Sequence, residues 1–195
     1  TGRLSHLAEI LLDMTGVQTV ERSERISLAA LTDEVFCDLD PVAEKAGISI
    51  HFDDSSSQDL YTDVHTPDAS ALNNNILNIT GSYVLLYRAV YNLVENAIKY
   101  NVDDGWVRVS IDADHKYFYV TVADSGMGIP EDSLERIFER FYRVDKSHSR
   151  EIGGTGLGLA ITRSTIAMHH GVIKVFSREG EGTTFSVRIP LSYIP

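Results

Sequence analysis

Apolar positions along this chain follow two periods, and the switch between them lays out the elements. Leu4, Leu7, Ile10, Leu11 and Met14 recur every three or four residues and predict an amphipathic helix over residues 3–15, ended by Gly16. After the polar connector "GVQTVERSER", Ser27 stands where an N-cap belongs, ahead of "LAALTDEVFCDLDPVAEKAG". That second helix closes at Gly47, with Pro41 a point of bending or interruption. A third helix over residues 82–101, capped by Ser82, puts Leu86, Ala89, Val90, Leu93 and Ala97 on one face. "EDSLERIFERFYRVD" also reads as helical, and "LGLAITRSTIAMHHG" forms a last helix closed by Gly171.

Period-two segments lie between these helices. "ISIHF" (48–52) and "ILNIT" read as strands; "WVRVSID" and "YFYVTVAD" form a hairpin around "ADHK"; "VIKVFSRE" and "TTFSVRIPL" form another around "GEG". Residues 53–75 are rich in Asp, Ser and Asn, match no element and read as an exposed loop. With no internal repeat, the order predicts a two-layer α/β sandwich with a mainly antiparallel, mixed sheet. An amphipathic helix and its linker precede it over residues 1–20, and the main domain fills 21–195.

Composition sharpens this only in places. The chain has 195 residues, 43% of them hydrophobic, enough to bury one domain's core. Lys and Arg total 17 against 28 Asp and Glu, a net charge of −11, which argues against nucleic acid or an anionic membrane as partner. A phosphate-bearing ligand would need a local cationic patch. The single cysteine, Cys37, cannot form an internal disulfide and is expected as buried helix filler. No apolar run reaches the roughly 20 residues of a spanning helix. The chain enters its first helix without a cap or loop, which reads as a section of a longer polypeptide.

Candidate chemistry gathers around two glycine-rich bends, "DSGMGIP" (124–130) and "GGTGLGLAI" (153–161). Neither is a common phosphate loop. Gly158 is followed by Leu159 rather than Lys-Ser/Thr, and Gly154-x-Gly156-x-Gly158 has the wrong spacing for a dinucleotide fingerprint. Asn92, Asn96 and Lys99 lie at i, i+4 and i+7 on one helix stripe. They suit a hydrated Mg²⁺ beside phosphate oxygens, and taken alone a solvated helix face explains them more simply. Asp124 ends an apolar strand, where an ionised carboxylate needs hydrogen bonds; an adenine amine supplies one, and an Asx turn is the competing explanation.

Gly126 and Gly128 would permit positive φ and close approach of a flat base. Gly154, Gly156 and Gly158 would bring free N–H groups at a helix start to phosphate oxygens, a hinge or cap being the alternative. Between the bends, Arg140, Arg143, Lys146 and Arg150 supply local cations on a stretch that reads as a lid or as a solvated loop. The seven histidines show no zinc-like arrangement, and structural or surface roles are expected for all. Ser125 lacks an elbow and a partner base.

Taken in order, these pieces resemble the catalytic and ATP-binding domain of bacterial sensor histidine kinases, within the family that includes gyrase-type and heat-shock-chaperone ATPases. "NLVENAIKYN" is similar to the family's N box, "DSGMGIP" to its G1 box, "IFERFYRVD" to its F box, "GGTGLGLAI" to its G2 box and "GEGTTF" to its last glycine motif, over residues 82–190. "RLSHLAEILLDMT" resembles the end of the second helix of the dimerisation and phosphoacceptor hairpin.

The resemblance implies ATP and Mg²⁺ as ligands. Asn96, helped by Asn92, would hold Mg²⁺; Lys99 would approach the phosphates; Tyr100 would border the base. Asp124 would read the adenine amine, with Gly126, Gly128 and Ile129 under the ring. Phe138 and Phe141 would anchor the lid, and Arg140 or Arg143 would meet the γ-phosphate. Gly154, Thr155, Gly156, Leu157 and Gly158 would wrap the triphosphate, and Thr183 and Thr184 would close the adenine side.

It further implies phosphoryl transfer to a histidine outside this segment, since no H box is present and His6 lies on the wrong helix. A response-regulator receiver domain would then take the phosphoryl group. The full-length protein would be a homodimer anchored in the plasma membrane, with this domain in the cytoplasm. A clamping ATPase and a serine kinase of the anti-sigma sort are the alternatives. Against the ATPase, Asn92 stands where the gyrase-like enzymes place a water-activating glutamate.

Overall fold

A computed structural model describes residues 24–54, 78–144 and 154–191. The expected first helix, most of the connector after it and nearly all of the polar loop lie outside the described residues, as does the stretch with Lys146 and Arg150.

Three helices cover one face of a five-stranded sheet. The order along the chain is β1 (Glu24–Ser27), α1 (Leu28–Ala46), β2 (Ser49–Asp54), β3 (Asn78–Gly81), α2 (Tyr83–Lys99), β4 (Trp106–Ala113), β5 (Tyr117–Asp124), α3 (Gly158–Met168), β6 (Val172–Arg178) and β7 (Gly182–Pro190). The main sheet runs β2-β4-β5-β7-β6. β2 and β4 are parallel, as a connection carrying a crossover helix allows, and the other three pairs are antiparallel. Strand alternation turns Val107, Val109, Ile111, Phe118, Val120, Val122, Phe185 and Val187 inward against the apolar stripes of α1 and α2. The predicted sandwich is therefore the observed one.

β1 and β3 form a separate antiparallel ribbon that the polar text "ERIS" concealed. Its paired Ile26 and Ile79 are each 2% exposed, so the ribbon seals the end of the core. Each ribbon strand feeds a helix. Ser27 Oγ accepts the N–H of Ala30 at 3.3 Å, the expected cap of α1. Ser82 begins α2 differently, because its side chain makes no capping bond. Glu24 Oε2 accepts the N–H of Tyr83 at 3.0 Å, and Nε2 of His169 accepts that of Ser82 at 3.0 Å.

His169 is thus a structural residue, 5% exposed, that fastens the end of α3 to the start of α2. A backbone N–H can only donate, so Nε2 carries no proton and Nδ1 donates to the Thr165 carbonyl at 2.8 Å.

Three expectations are corrected. Pro41 sits within α1 without ending it. Cys37 is exposed: the buried residues of α1 are Leu28, Leu31, Thr32, Val35, Leu39 and Ala43, and position 37 falls on the opposite side. "EDSLERIFERF" is not one α-helix but two 3₁₀ turns, Glu131–Ser133 and Arg136–Phe138. Their i→i+3 bonds, Leu134 N–H to Glu131 and Glu139 N–H to Arg136, keep Ile137 buried without a long helical face.

Candidate functional site

α2 supplies one wall. Its buried stripe fixes its rotation, and Asn92, Asn96 and Lys99 are left half-buried along the flank. Asn92 Nδ2 donates to the carbonyl of Gly158 at 3.4 Å, which brings the second glycine bend against the helix, and no donor reaches its Oδ1 among the described residues. The carboxamide of Asn96 makes no hydrogen bond among the described residues. Burial lowers the Lys99 ammonium pKa from its usual value; Glu95 opposes this and Arg143 adds to it. A Cβ on Gly154 would sit 3.1 Å from Lys99 Nζ, so the glycine backbone and the ammonium are close neighbours.

Asp124 supplies the floor. It is 9% exposed at the end of β5, and its Oδ1 accepts the N–H of Gly126 at 2.8 Å and of Thr183 at 3.2 Å. Among the described residues no donor reaches Oδ2. Burial raises the carboxyl pKa above the usual 3.8, and the two N–H bonds offset part of that rise. The Asx-type turn is thus present on one oxygen, and the other remains available to a ligand.

Protein backbone alone requires the glycines of the first bend. Gly126 does not have positive φ, but a Cβ there would lie 2.3 Å from the Tyr100 carbonyl oxygen. That same carbonyl accepts the Met127 N–H at 3.0 Å. Gly128 does have positive φ, 68°, and its Cβ would lie 2.0 Å from the Arg178 carbonyl oxygen. The bend is thus pinned between the end of α2 and the β6–β7 turn.

The second bend is clipped to the F-box segment. Phe141 N–H donates to the Gly156 carbonyl at 2.9 Å, and Arg143 Nη1 donates to the Gly154 carbonyl at 2.7 Å. Gly156 has φ 71°, and a Cβ there would press within 2.9 Å of the Phe141 backbone. The two phenylalanines separate in role. Phe138 packs edge-on to Phe185 with centroids 6.4 Å apart and carries Arg163 over its ring. Phe141 holds the neck by its backbone, at φ 64°, while its side chain is 64% exposed. Leu157 turns its side chain into the core at 1% exposure, and Thr155 Oγ1 accepts the Leu157 N–H at 3.4 Å. What both offer a ligand is backbone.

Arg136, Glu139, Arg140, Phe141, Tyr142 and Arg143 line a cavity of about 520 Å³ beside this neck, bordered also by Val144. Arg140 is exposed there. Of the expected local cations, Arg140 and Arg143 line this cavity, and Lys146 and Arg150 lie outside the described residues.

Thr183 and Thr184 part company, which corrects their pairing at one site. Thr183 lies opposite Asp124 on β5 and Ser177 on β6. Thr184 is opposite Ala123 and Phe176, on the outer face of the sheet, because side chains alternate along a strand. Two positioning residues were given no role by the sequence, although Asn101 closes "NLVENAIKYN". Asn101 joins the end of α2 to the hairpin, donating to the carbonyls of Ala97 and Trp106 at 2.9 and 3.0 Å and accepting from Ser125 Oγ at 3.1 Å. Ser177 accepts the Ile129 N–H at 2.8 Å.

The donor set fits a nucleotide with a hard cation. No group of three or more His, Cys, Asp or Glu that could hold a metal occurs among the described residues. The flank of α2 instead offers neutral carboxamide oxygens, which suit a cation that draws its other ligands from phosphates and water.

Comparison with known proteins gives the family. Residues 81–193 match the family described as histidine kinase-, DNA gyrase B- and HSP90-like ATPases, and the chain belongs to that family. It is 35% identical over 193 residues to the sensor histidine kinase RppB of Synechocystis sp., covering 99% of this chain and 39% of that protein. It is 38% identical over 182 residues to the sensor-like histidine kinase SenX3 of Mycolicibacterium smegmatis, covering 92% of this chain and 44% of that protein. The catalytic domain of histidine kinase ThkA superposes with a TM-score of 0.67 at 27% identity, covering 86% of this chain and 97% of that one. The chain is an ATP-binding catalytic domain of the sensor histidine kinase type, and it spans less than half the length of the two curated relatives.

Proposed function

We propose that this domain binds Mg-ATP between α2, Asp124 and the two glycine bends and transfers the γ-phosphoryl group to a histidine on a helical hairpin outside this segment. The acceptor imidazole nitrogen forms the P–N bond as the bond from the γ-phosphorus to the ADP oxygen breaks, and the displaced imidazole proton goes to solvent. Asn96 and Asn92 would hold the Mg²⁺, which neutralises phosphate charge when bound. Lys99, Arg140 and Arg143 steady the phosphates, Asp124 Oδ2 accepts from the adenine amine, and Tyr100 and Ile129 border the base.

The observation that carries this reading is Asn92. It stands at the position of a water-activating carboxylate in the hydrolysing relatives, and its side chain is tied to Gly158. A carboxamide cannot take a proton from water, so the site positions a phosphoryl group for another nucleophile.

The acceptor hairpin belongs to the same polypeptide, which dimerises through it. The phosphoryl group then passes to a response-regulator receiver domain. ThkA has been crystallised with the response regulator protein TrrA, and that complex matches 98% of this chain at 25% identity, TM-score 0.67. No described helix is long and apolar enough to cross a membrane. A cytoplasmic position, with the anchor elsewhere in the protein, is part of the proposal. Incubation of the chain with its phosphoacceptor hairpin and labelled ATP should give acid-labile phosphohistidine. Acid-stable label would point to a serine kinase, and release of phosphate without label to an ATPase.

A further inference from the structure

Ser177 touches three partners, and its single proton decides what the base site presents. Its Oγ accepts the Ile129 N–H at 2.8 Å, lies 2.8 Å from the Gly182 carbonyl and lies 2.9 Å from Thr183 Oγ1. All three contacts are hydrogen bonds in one arrangement only. A carbonyl cannot donate, so the Ser177 proton goes to Gly182; the Thr183 hydroxyl must then donate to Ser177. The Ser177 oxygen is saturated, with one bond given and two received. Thr183 has spent its proton and retains only lone pairs. Its own N–H is committed to Asp124 Oδ1.

We infer that Ser177 is a specificity-determining positioning residue, whose hydroxyl turns Thr183 into an acceptor and so makes the Asp124–Thr183 edge accept only. This rests on the nucleotide-binding reading above and deepens it. An edge built from a carboxylate oxygen and a proton-depleted hydroxyl matches a purine that donates at its six position. It rejects one that carries an oxygen there, since two acceptors then face each other unpaired. The same hydroxyl holds Ile129, so the loop under the base and the acceptor edge are set by one side chain. Its place on β6 explains why the sequence gave no sign of it: in "VFSRE" it is an ordinary inward strand position.

The test compares ATP with 6-methoxypurine riboside triphosphate, which carries an oxygen acceptor at position six and, like adenine, no proton on N1. Both compete against a fluorescent nucleotide with Mg²⁺, on the whole chain and on Ser177→Ala. In the variant the Thr183 hydroxyl is free to rotate and donate, so the preference for ATP should shrink by about tenfold, the worth of one hydrogen bond at a buried edge. Ser177→Thr, which keeps the hydroxyl, should restore the wild-type ratio. If Ser177→Ala does not fold, Ser177→Cys carries the same prediction, a thiol being a far weaker partner. Equal weakening of both nucleotides, with the ratio unchanged, would reduce Ser177 to a structural residue and overturn the inference while leaving the nucleotide site intact. A wild-type chain that binds neither nucleotide would overturn the underlying reading as well.

Discussion

The backbone N–H of Thr183 donates to Oδ1 of Asp124 at 3.2 Å, joining the last hairpin to the floor of the site and leaving the second carboxylate oxygen for a ligand. The carboxylate is held in a place that raises its pKa. A raised folded-state value means that the protonated form favours folding. That stability is full below the unfolded carboxyl value and is lost as pH rises through the raised folded value, so at neutral pH the ionised group costs stability.

Asp124→Asn should therefore separate stability from binding. The carboxamide oxygen still accepts from Gly126 and Thr183, and no charge is buried, so the nucleotide-free variant should melt at or above the wild-type temperature. ATP affinity should fall by about ten- to a hundredfold, the range for a hydrogen bond to a charged group. Thermal melts with and without nucleotide check both halves; unchanged affinity would misplace the base.

Lys99 gives a proton-linked prediction of opposite sign. Its folded-state pKa is lowered, chiefly by burial, so the charged form costs stability below that lowered value. The cost is relieved as pH rises from there toward the ordinary lysine value. Phosphate beside the ammonium reverses the shift. At alkaline pH, ATP binding should take up a proton, seen by calorimetry in buffers of different ionisation enthalpy. Lys99→Met should abolish the uptake and weaken ATP about tenfold or more.

Two glycines two residues apart should behave differently. Gly156→Ala imposes a left-handed backbone on a Cβ-bearing residue, at roughly 1–2 kcal/mol before its contact with Phe141 is counted. Gly158 has no positive φ, opens α3, and a Cβ there lies 3.5 Å from Asn92 Cγ, an ordinary contact. Gly158→Ala should melt at or above wild type, and Gly156→Ala several degrees below. Equal melting temperatures would show that the neck is not held as described.

The sandwich was legible because its strands and helices each keep one period, as in "WVRVSIDA" over β4 and the Leu86–Ala97 stripe of α2. β1 was not, since only Ile26 of its four residues is buried and its partner strand is more than fifty residues away. The F-box segment misled because Leu134, Ile137 and Phe138 have helical spacing that two 3₁₀ turns satisfy equally. In the site, Asp124, the asparagines and the glycines were visible as motifs, though the glycines serve backbone contacts no motif states. Thr184 was placed beside Thr183 by the resemblance, where strand alternation sends it to the other face. Asn101 was passed over although it closes "NLVENAIKYN" and bonds carbonyls only four and five residues away, whereas Ser177 was invisible because the Ile129 N–H it accepts lies 48 residues off.

His169 offers a purely structural check. Replacing it with Leu leaves the Ser82 N–H buried without an acceptor, at about 1–3 kcal/mol. The urea midpoint should fall without a change in slope. An unchanged midpoint would mean that the bridge from α3 to α2 contributes nothing.

The most direct measurement is ATP binding to the wild-type chain with Mg²⁺ and with chelator, followed by calorimetry, beside Asn96→Ala. The account predicts saturable one-to-one binding that weakens strongly when Mg²⁺ is removed, and an Asn96→Ala variant that has lost that Mg²⁺ dependence. No binding by a folded chain, or binding indifferent to both the cation and Asn96, would contradict it.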